Sequence, residues 1–217
     1  MMKKRVAVLI SGRGSNMSAL IEACKDPAYP AEIVAVLSNK PDAAGLEVAR
    51  SHGIEAIAVP QKEYASRAAH EEAINAELAR IAPDIVCLAG YMRLMSADFV
   101  ARWEGRMINI HPSLLPLFKG LDSHARALES GMRVHGCTVH FVTAEMDGGP
   151  IIAQAVAPVE PGDTEDTLSA RVLTVEHKLY PLALKLVAGG KVAMVDGGIV
   201  YSGLTKADKT LIGVFTP

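Results

Sequence analysis

Arg5-Val6-Ala7-Val8-Leu9-Ile10-Ser11-Gly12-Arg13-Gly14-Ser15-Asn16-Met17 is the stretch whose reading decides the fold. The run Val6–Ile10 is apolar on both alternating faces, as a strand buried on both sides must be. Ser11 and Gly12 end it, so it is too short for a signal-peptide core or a membrane span. Beyond the glycines, Met17, Leu20, Ile21 and Cys24 recur at helical spacing, which predicts a helix over Asn16–Lys25. A buried strand, a glycine loop and a helix in succession form the opening of a parallel α/β sheet.

The alternation continues outward from that unit. Strands are expected at Ile33–Ser38, Glu55–Val59, Ile85–Leu88 and Met107–Ile110. Helices are expected over Ala43–His52, ended by Gly53, and from about Tyr64 to Ile81, where Pro83 bars continuation. A short helix starts at Ser96, and Trp103 after it packs rather than binds. After residue 120 the pattern changes. Ser123–Ser130 reads as a helix closed by Gly131. Thr138–Val142 and Ile151–Ala157 read as two strands around Asp147-Gly148-Gly149-Pro150, an antiparallel addition in the C-terminal half. Asp163 or Thr164 can cap a long helix that runs to Gly189 and carries Leu168, Val172, Val175, Leu179, Leu182 and Leu186, with Pro181 expected to kink it. Lys191–Val195 and Ile199–Tyr201 suggest a terminal hairpin around Asp196-Gly197-Gly198. The fold class is α/β, with a predominantly parallel central sheet and helices on both faces. No repeat or linker interrupts it, so residues 1–217 read as a single domain.

Composition excludes several function classes. Half of the 217 residues are hydrophobic but only 5% are aromatic, so the core is expected to be aliphatic. A net charge of −2 and a pI near 6.4 give no basic surface for nucleic acid. Cys24, Cys87 and Cys137 are odd in number and widely spaced, which indicates neither a zinc site nor a disulfide framework. His52, His70, His124, His135 and His140 show no metal-ligand spacing and read as surface or structural. A cytoplasmic protein without a metal or a membrane partner is expected.

Chemistry is concentrated in a few places. The glycine loop before a helix N-terminus suits a phosphate, because free N–H groups and the helix dipole favour an anion. No Gly-Lys-Ser/Thr is present, Met17 fills the position where a dinucleotide fingerprint needs a small residue, and Asn39 rather than an acid ends the second strand. NAD and ATP are thereby rejected and a monophosphate remains. The plain alternative is a tight turn with Asn16 as helix cap. In Asn109-Ile110-His111-Pro112-Ser113-Leu114-Leu115-Pro116, Asn109 and His111 share one face of a strand end while Ile108 and Ile110 face the core. An amide donor beside an imidazole that moves protons near neutral pH is a minimal kit for acyl-type transfer. Asp147 beside His111 would favour the charged imidazole, although an ordinary hairpin turn also explains Asp-Gly-Gly. Arg93, past the end of the Ile85–Leu88 strand, can hold a carboxylate or lie on the surface. Glu176, off the apolar stripe of the long helix, has a solvated face as its ordinary reading.

Together these segments resemble the glycinamide ribonucleotide (phosphoribosylglycinamide) formyltransferases, folate-dependent enzymes of purine biosynthesis. The resemblance runs from Val6 to about Gly190. It rests on I-S-G-R-G-S-N at 10–16, S-N-K at 38–40, A-G-Y-M-R at 89–93, N-I-H-P-S-L-L-P at 109–116, V-H-F-V at 139–142, D-G-G-P at 147–150 and E-H at 176–177. Each string is weak alone; their order and spacing make the match specific. It implies a Rossmann-like formyltransferase fold and transfer of the formyl group of 10-formyltetrahydrofolate, the co-substrate, to the amine of 5-phosphoribosylglycinamide. It further implies Asn109, His111 and Asp147 as catalytic residues. Ribonucleotide contacts fall on Gly14, Ser15, Asn16, Met17, Leu173, Thr174, Val175 and Glu176. Folate contacts fall on Arg67, Met92, Arg93, Leu94, Met95 and Asn109 and on Thr143, Ala144, Glu145, Met146 and Asp147. The variable segment Leu117–Gly120 receives no role.

Two related activities compete. A hydrolase releasing formate from the same folate would carry an N-terminal regulatory domain, and the first strand here starts within a few residues of Met1. A formyltransferase acting on methionyl-tRNA would need a further C-terminal domain and a basic face. A non-catalytic mononucleotide-binding module would explain the glycine loop but not Asn109, His111 and Asp147 together.

Overall fold

Strand β1 (Lys4–Ile10) is fully buried from Val6 to Ile10, so both of its faces are covered, as its continuous apolar run requires. A computed structural model describes residues 2–204; the two ends of the expected 1–217 domain, Met1 and 205–217, lie outside the described residues. Two compact units divide the chain after Asn109.

In the first unit β1 is followed by α1 (Ser15–Cys24), β2 (Ala31–Ser38), α2 (Ala44–Ser51), β3 (Glu55–Ala58), α3 (Arg67–Ile81), β4 (Ile85–Leu88), α4 (Ala97–Arg102) and β5 (Met107–His111), whose last residues cross the boundary. The strand order is β3-β2-β1-β4-β5, and every pairing is parallel. Crossovers of this kind place the loops after the strands along one edge of the sheet. The long helix starts at Arg67 rather than Tyr64. Ser66 caps it by accepting from the Ala69 N–H, and a separate 3-10 turn occupies Gln61–Glu63. Trp103 is buried and donates to Asn75 Oδ1 at 3.2 Å, a packing role as expected.

The second unit contains α5 (Ser123–Glu129), β6 (Val134–Phe141), β7 (Ile151–Pro158), α6 (Glu165–Ala188) and the hairpin β8 (Val192–Val195) and β9 (Gly198–Tyr201). β6 and β7 are antiparallel, the expected addition in the C-terminal half. β6 begins four residues before the expected Thr138, because Gly136 is a strand residue and not a breaker: a Cβ there would collide with the Ala155 carbonyl of β7. Thr164 caps α6 in a reciprocal box with Thr167, and Asp163 is instead gripped by Arg171 at 2.6 and 2.9 Å. The helix runs through Pro181 for 24 residues. Asp196 and Gly197 both take positive φ (50° and 73°), the signature of a tight hairpin turn.

The chain is thus α/β, with a mostly parallel sheet and an antiparallel C-terminal addition. Its core is aliphatic, with Trp103, Tyr180, Phe99 and Phe141 among the aromatic exceptions. Among the described residues no helix is long and apolar enough to cross a membrane.

Candidate active site

The glycine loop of the first unit leads into α1 through Gly14, whose φ of 72° occupies the left-handed region. Gly14 holds the cap position without a side-chain cap, so Asn16 is not the cap; it sits buried inside the first turn. Met17 is fully buried, which leaves its backbone and not its side chain to serve a ligand. Ser15, Asn16 and Met17 therefore present first-turn N–H groups and the positive end of the helix dipole, an arrangement suited to an anion.

After β4, Gly90 turns the chain with a φ of 73°. Tyr91, Arg93 and Met95 are half-buried, whereas Met92 and Leu94 are each 64% exposed. Arg67, Arg93, Leu94 and Met95 line one cleft with Glu71 and Phe99, so the structure unites four of the expected folate contacts of this unit and leaves Met92 and Asn109 outside the lining. Glu71 shapes this cleft: its buried carboxylate accepts from the Ser96 N–H at 2.8 Å and from the Ser96 hydroxyl, with Arg67 Nε at 3.7 Å. Burial pushes the Tyr91 phenol up from its ordinary value.

Asn109 and His111 are alternate residues of β5. Ile108 and Ile110 are buried as expected, but the opposite face is also covered: His111 is only 6% exposed and Asn109 half-buried. In the second unit the Asp147 carboxylate lies 3.4 Å from His111 Nδ1 and 3.7 Å from His140 Nε2, and accepts from the Gly120 N–H at 2.9 Å. His111 Nε2 lies 2.9 Å from the Phe118 carbonyl oxygen. Asp147 is thus no plain hairpin residue. Nine residues separate β6 from β7, and Asp147 takes a φ of 49° to point its carboxylate at the imidazole. In the same connection Thr143 is half-buried and Ala144, Glu145 and Met146 are exposed, with Glu145 accepting from Lys119 Nζ at 2.7 Å.

Glu176 is buried at 6% exposure, which overturns the solvated reading of its helix face. Val175 beside it is buried, Leu173 half-buried, and Thr174 exposed with its hydroxyl donating to the Arg171 carbonyl.

His140, which reads from the sequence as surface or structural, lies beside Asp147. It is buried, its Nδ1 meets the Phe141 carbonyl at 2.9 Å, and its Nε2 faces Asp147. Burial holds its pKa down against the pull of the Phe141 carbonyl and Asp147. Its signal lies in V-H-F-V, a string that supports the family resemblance without giving the histidine a role. His135 also lies inside, its ring centroid 5.2 Å from that of the half-buried His124, and burial lowers both, His135 to about 4. Among the described residues no group of His, Cys, Asp and Glu has the arrangement of a metal site.

A family model described as formyl transferase matches residues 4–184. The phosphoribosylglycinamide formyltransferase of Escherichia coli (strain K12) is 49% identical over 91% of this chain and 93% of its own length. The trifunctional purine biosynthetic protein adenosine-3 of Bos taurus is 52% identical over 90% of this chain, and the chain spans 19% of the length of that protein. A solved structure, phosphoribosylglycinamide formyltransferase from Brucella melitensis, is 58% identical with a TM-score of 0.84, covering 87% of this chain and 97% of that one.

Proposed function

The chain belongs to the formyl transferase family, and we propose that it moves the formyl group of 10-formyltetrahydrofolate to the amine of 5-phosphoribosylglycinamide, giving formylglycinamide ribonucleotide and tetrahydrofolate. The observation that carries this reading is the pair of acceptors around His111. A carbonyl oxygen can only accept, so Nε2, at 2.9 Å from the Phe118 oxygen, carries a hydrogen. Nδ1 faces a carboxylate oxygen of Asp147 at 3.4 Å, a second acceptor. In the proposed charged form of the ring both nitrogens would donate to these acceptors.

Formyl transfer uses such a group. The neutral amine attacks the formyl carbon, and negative charge gathers on the formyl oxygen. The Asn109 amide and the His111 imidazolium donate to that oxygen, and the 3.4 Å contact with Asp147 is loose enough for Nδ1–H to be shared with it. One donor of this kind supplies about 2.7–4 kcal/mol of barrier lowering in other enzymes. The new carbon–nitrogen bond forms first and gives an oxyanion; its collapse breaks the bond to the folate nitrogen, and the proton lost by the amine ends on that nitrogen. Ser15, Asn16 and Met17 serve the ribonucleotide phosphate, joined by Gly14. Leu173–Glu176 serve the glycinamide end, with the buried Glu176 carboxylate for the amine. Arg67, Met92–Met95, Asn109 and Thr143–Asp147 serve the folate. No metal and no nucleic acid enters this scheme, residues 1–217 act as one formyltransferase domain, and its place is the cytoplasm.

The test offers two acceptors. Absorbance of the folate is followed with 10-formyltetrahydrofolate and the intact chain, with and without 5-phosphoribosylglycinamide. Tetrahydrofolate is expected only when the ribonucleotide is present. Release of formate at an equal rate without it would make the protein a hydrolase.

A further inference from the structure

Ser38-Asn39-Lys40 contributes to the family resemblance but has no task in the scheme above. In the structure Asn39 and Ser11 are each 4% exposed and bonded to one another. Ser11 Oγ donates to Asn39 Oδ1 at 2.6 Å and accepts from the Met92 N–H at 2.8 Å. Asn39 Nδ2 donates onward to Gln61 Oε1 at 3.1 Å.

The position explains why a hydroxyl stands there. β1 and β4 pair side by side up to Leu9 and Leu88, and the Ala89 N–H still donates to the Leu9 carbonyl at 2.9 Å. Gly90 then turns the chain out of the ladder, although the Ser11 N–H still reaches the Gly90 carbonyl at 3.1 Å. The next inward amide, that of Met92, is met by the Ser11 side chain. This joint must accept from one side and donate to the other, and a hydroxyl does both. Ser11 is the root of the glycine loop, and Met92 opens the segment that lines the Arg93 cleft.

We infer that Ser11, oriented by Asn39, is a positioning residue that holds the Gly12–Met17 loop and the Met92–Met95 segment in one register. Assigning those segments to the ribonucleotide and the folate rests on the formyl-transfer reading; the joint itself does not. Removing the hydroxyl leaves the Met92 N–H and Asn39 Oδ1 facing a methyl group in a buried site, and both segments loosen together. The chemical groups Asn109, His111 and Asp147 are untouched, so binding and not turnover carries the loss.

Steady-state kinetics with both substrates are compared for the intact chain, Ser11→Ala, Asn39→Leu and Asn39→Asp, which keeps an acceptor for Ser11. Asn75→Leu, which removes the Trp103 bond elsewhere in the same unit, measures the effect of lost stability alone. Ser11→Ala and Asn39→Leu are expected to raise both KM values roughly 5- to 30-fold with kcat within about threefold, and Asn39→Asp to recover most of that. A rise in one KM only, or the same rises in Asn75→Leu, overturns the inference. Amide hydrogen exchange decides independently of any activity: Ser11→Ala is expected to speed exchange at Met92 by about tenfold while Ala89 stays unchanged. Equal rates at Met92 in the two proteins overturn the joint; a wild-type chain that transfers nothing to the ribonucleotide overturns the formyl-transfer reading instead.

Discussion

At Asp147 a single carboxylate meets the His111 ring, the His140 ring and the Gly120 amide. Its charge and its shape can be separated by Asp147→Asn, which keeps an acceptor oxygen for the Gly120 N–H and removes the negative charge beside the His111 ring. The expected result is a kcat lower by roughly 10²–10⁴-fold with both KM values within a few-fold of wild type, read by steady-state kinetics. A kcat within threefold of wild type would remove Asp147 from the chemistry. Sequence reading reached Asp147 and His111 separately, one at a turn and the other at a strand end. No spacing rule joins a strand end to a distant connection, and only the resemblance paired them. Glu176 was misread for a different reason. The buried face of α6 includes Val175, Glu176, Leu179, Tyr180 and Ala183, so neighbouring positions are covered together. A stripe drawn at single helical spacing is narrower than that face.

At the scale of elements, the parallel strands were the most legible part of the chain. β1 is apolar on both faces and buried on both, and helical spacing placed each following helix to within a few residues. The connection from β6 to β7 was less legible, because glycine has two meanings there. Gly148 and Gly149 both read as turn residues, yet their surroundings differ. A Cβ on Gly148 meets only the flexible, exposed Glu145 side chain, whereas one on Gly149 collides with the Phe141 backbone carbonyl at the end of β6. Gly149→Ala is therefore expected to cost about 1–3 kcal/mol of stability, read as a lower urea midpoint, since backbone must move. Because Asp147 is two residues away, kcat is expected to fall with it. Gly148→Ala is expected to shift the midpoint far less. Equal shifts for the two alanines would mean that the collision is relieved without moving the strand.

At the scale of the whole molecule, the acid response of the fold is set by histidines that the sequence placed on the surface or in structural roles. His124, His135, His140 and His177 all have pKa values lowered by burial, and one buried ring nitrogen each of His124, His135 and His177 has no hydrogen-bond partner among the described residues. Composition could count these rings but not bury them. His135 is the extreme case at about 4, against an ordinary 6.5, with His124 and His111 adding repulsion and the Pro112 carbonyl opposing the shift. A folded state with a depressed imidazole pKa binds fewer protons than the unfolded chain between those two values. Stability is therefore full above pH 6.5 and is lost as the pH falls toward 4. For His135 alone the loss amounts to about 3 kcal/mol across that window. Asp163, held well below its usual range by Arg171, extends the decline to still lower pH, since it too binds its proton more weakly when folded. Thermal unfolding of the intact chain between pH 8 and 4.5 is expected to show a flat midpoint above 6.5 and a steady fall below it. His135→Gln, which cannot be protonated, is expected to flatten part of that fall while lowering the neutral-pH midpoint only slightly. If wild type and His135→Gln decline in parallel, the acid sensitivity of the fold lies elsewhere than in the His135 ring.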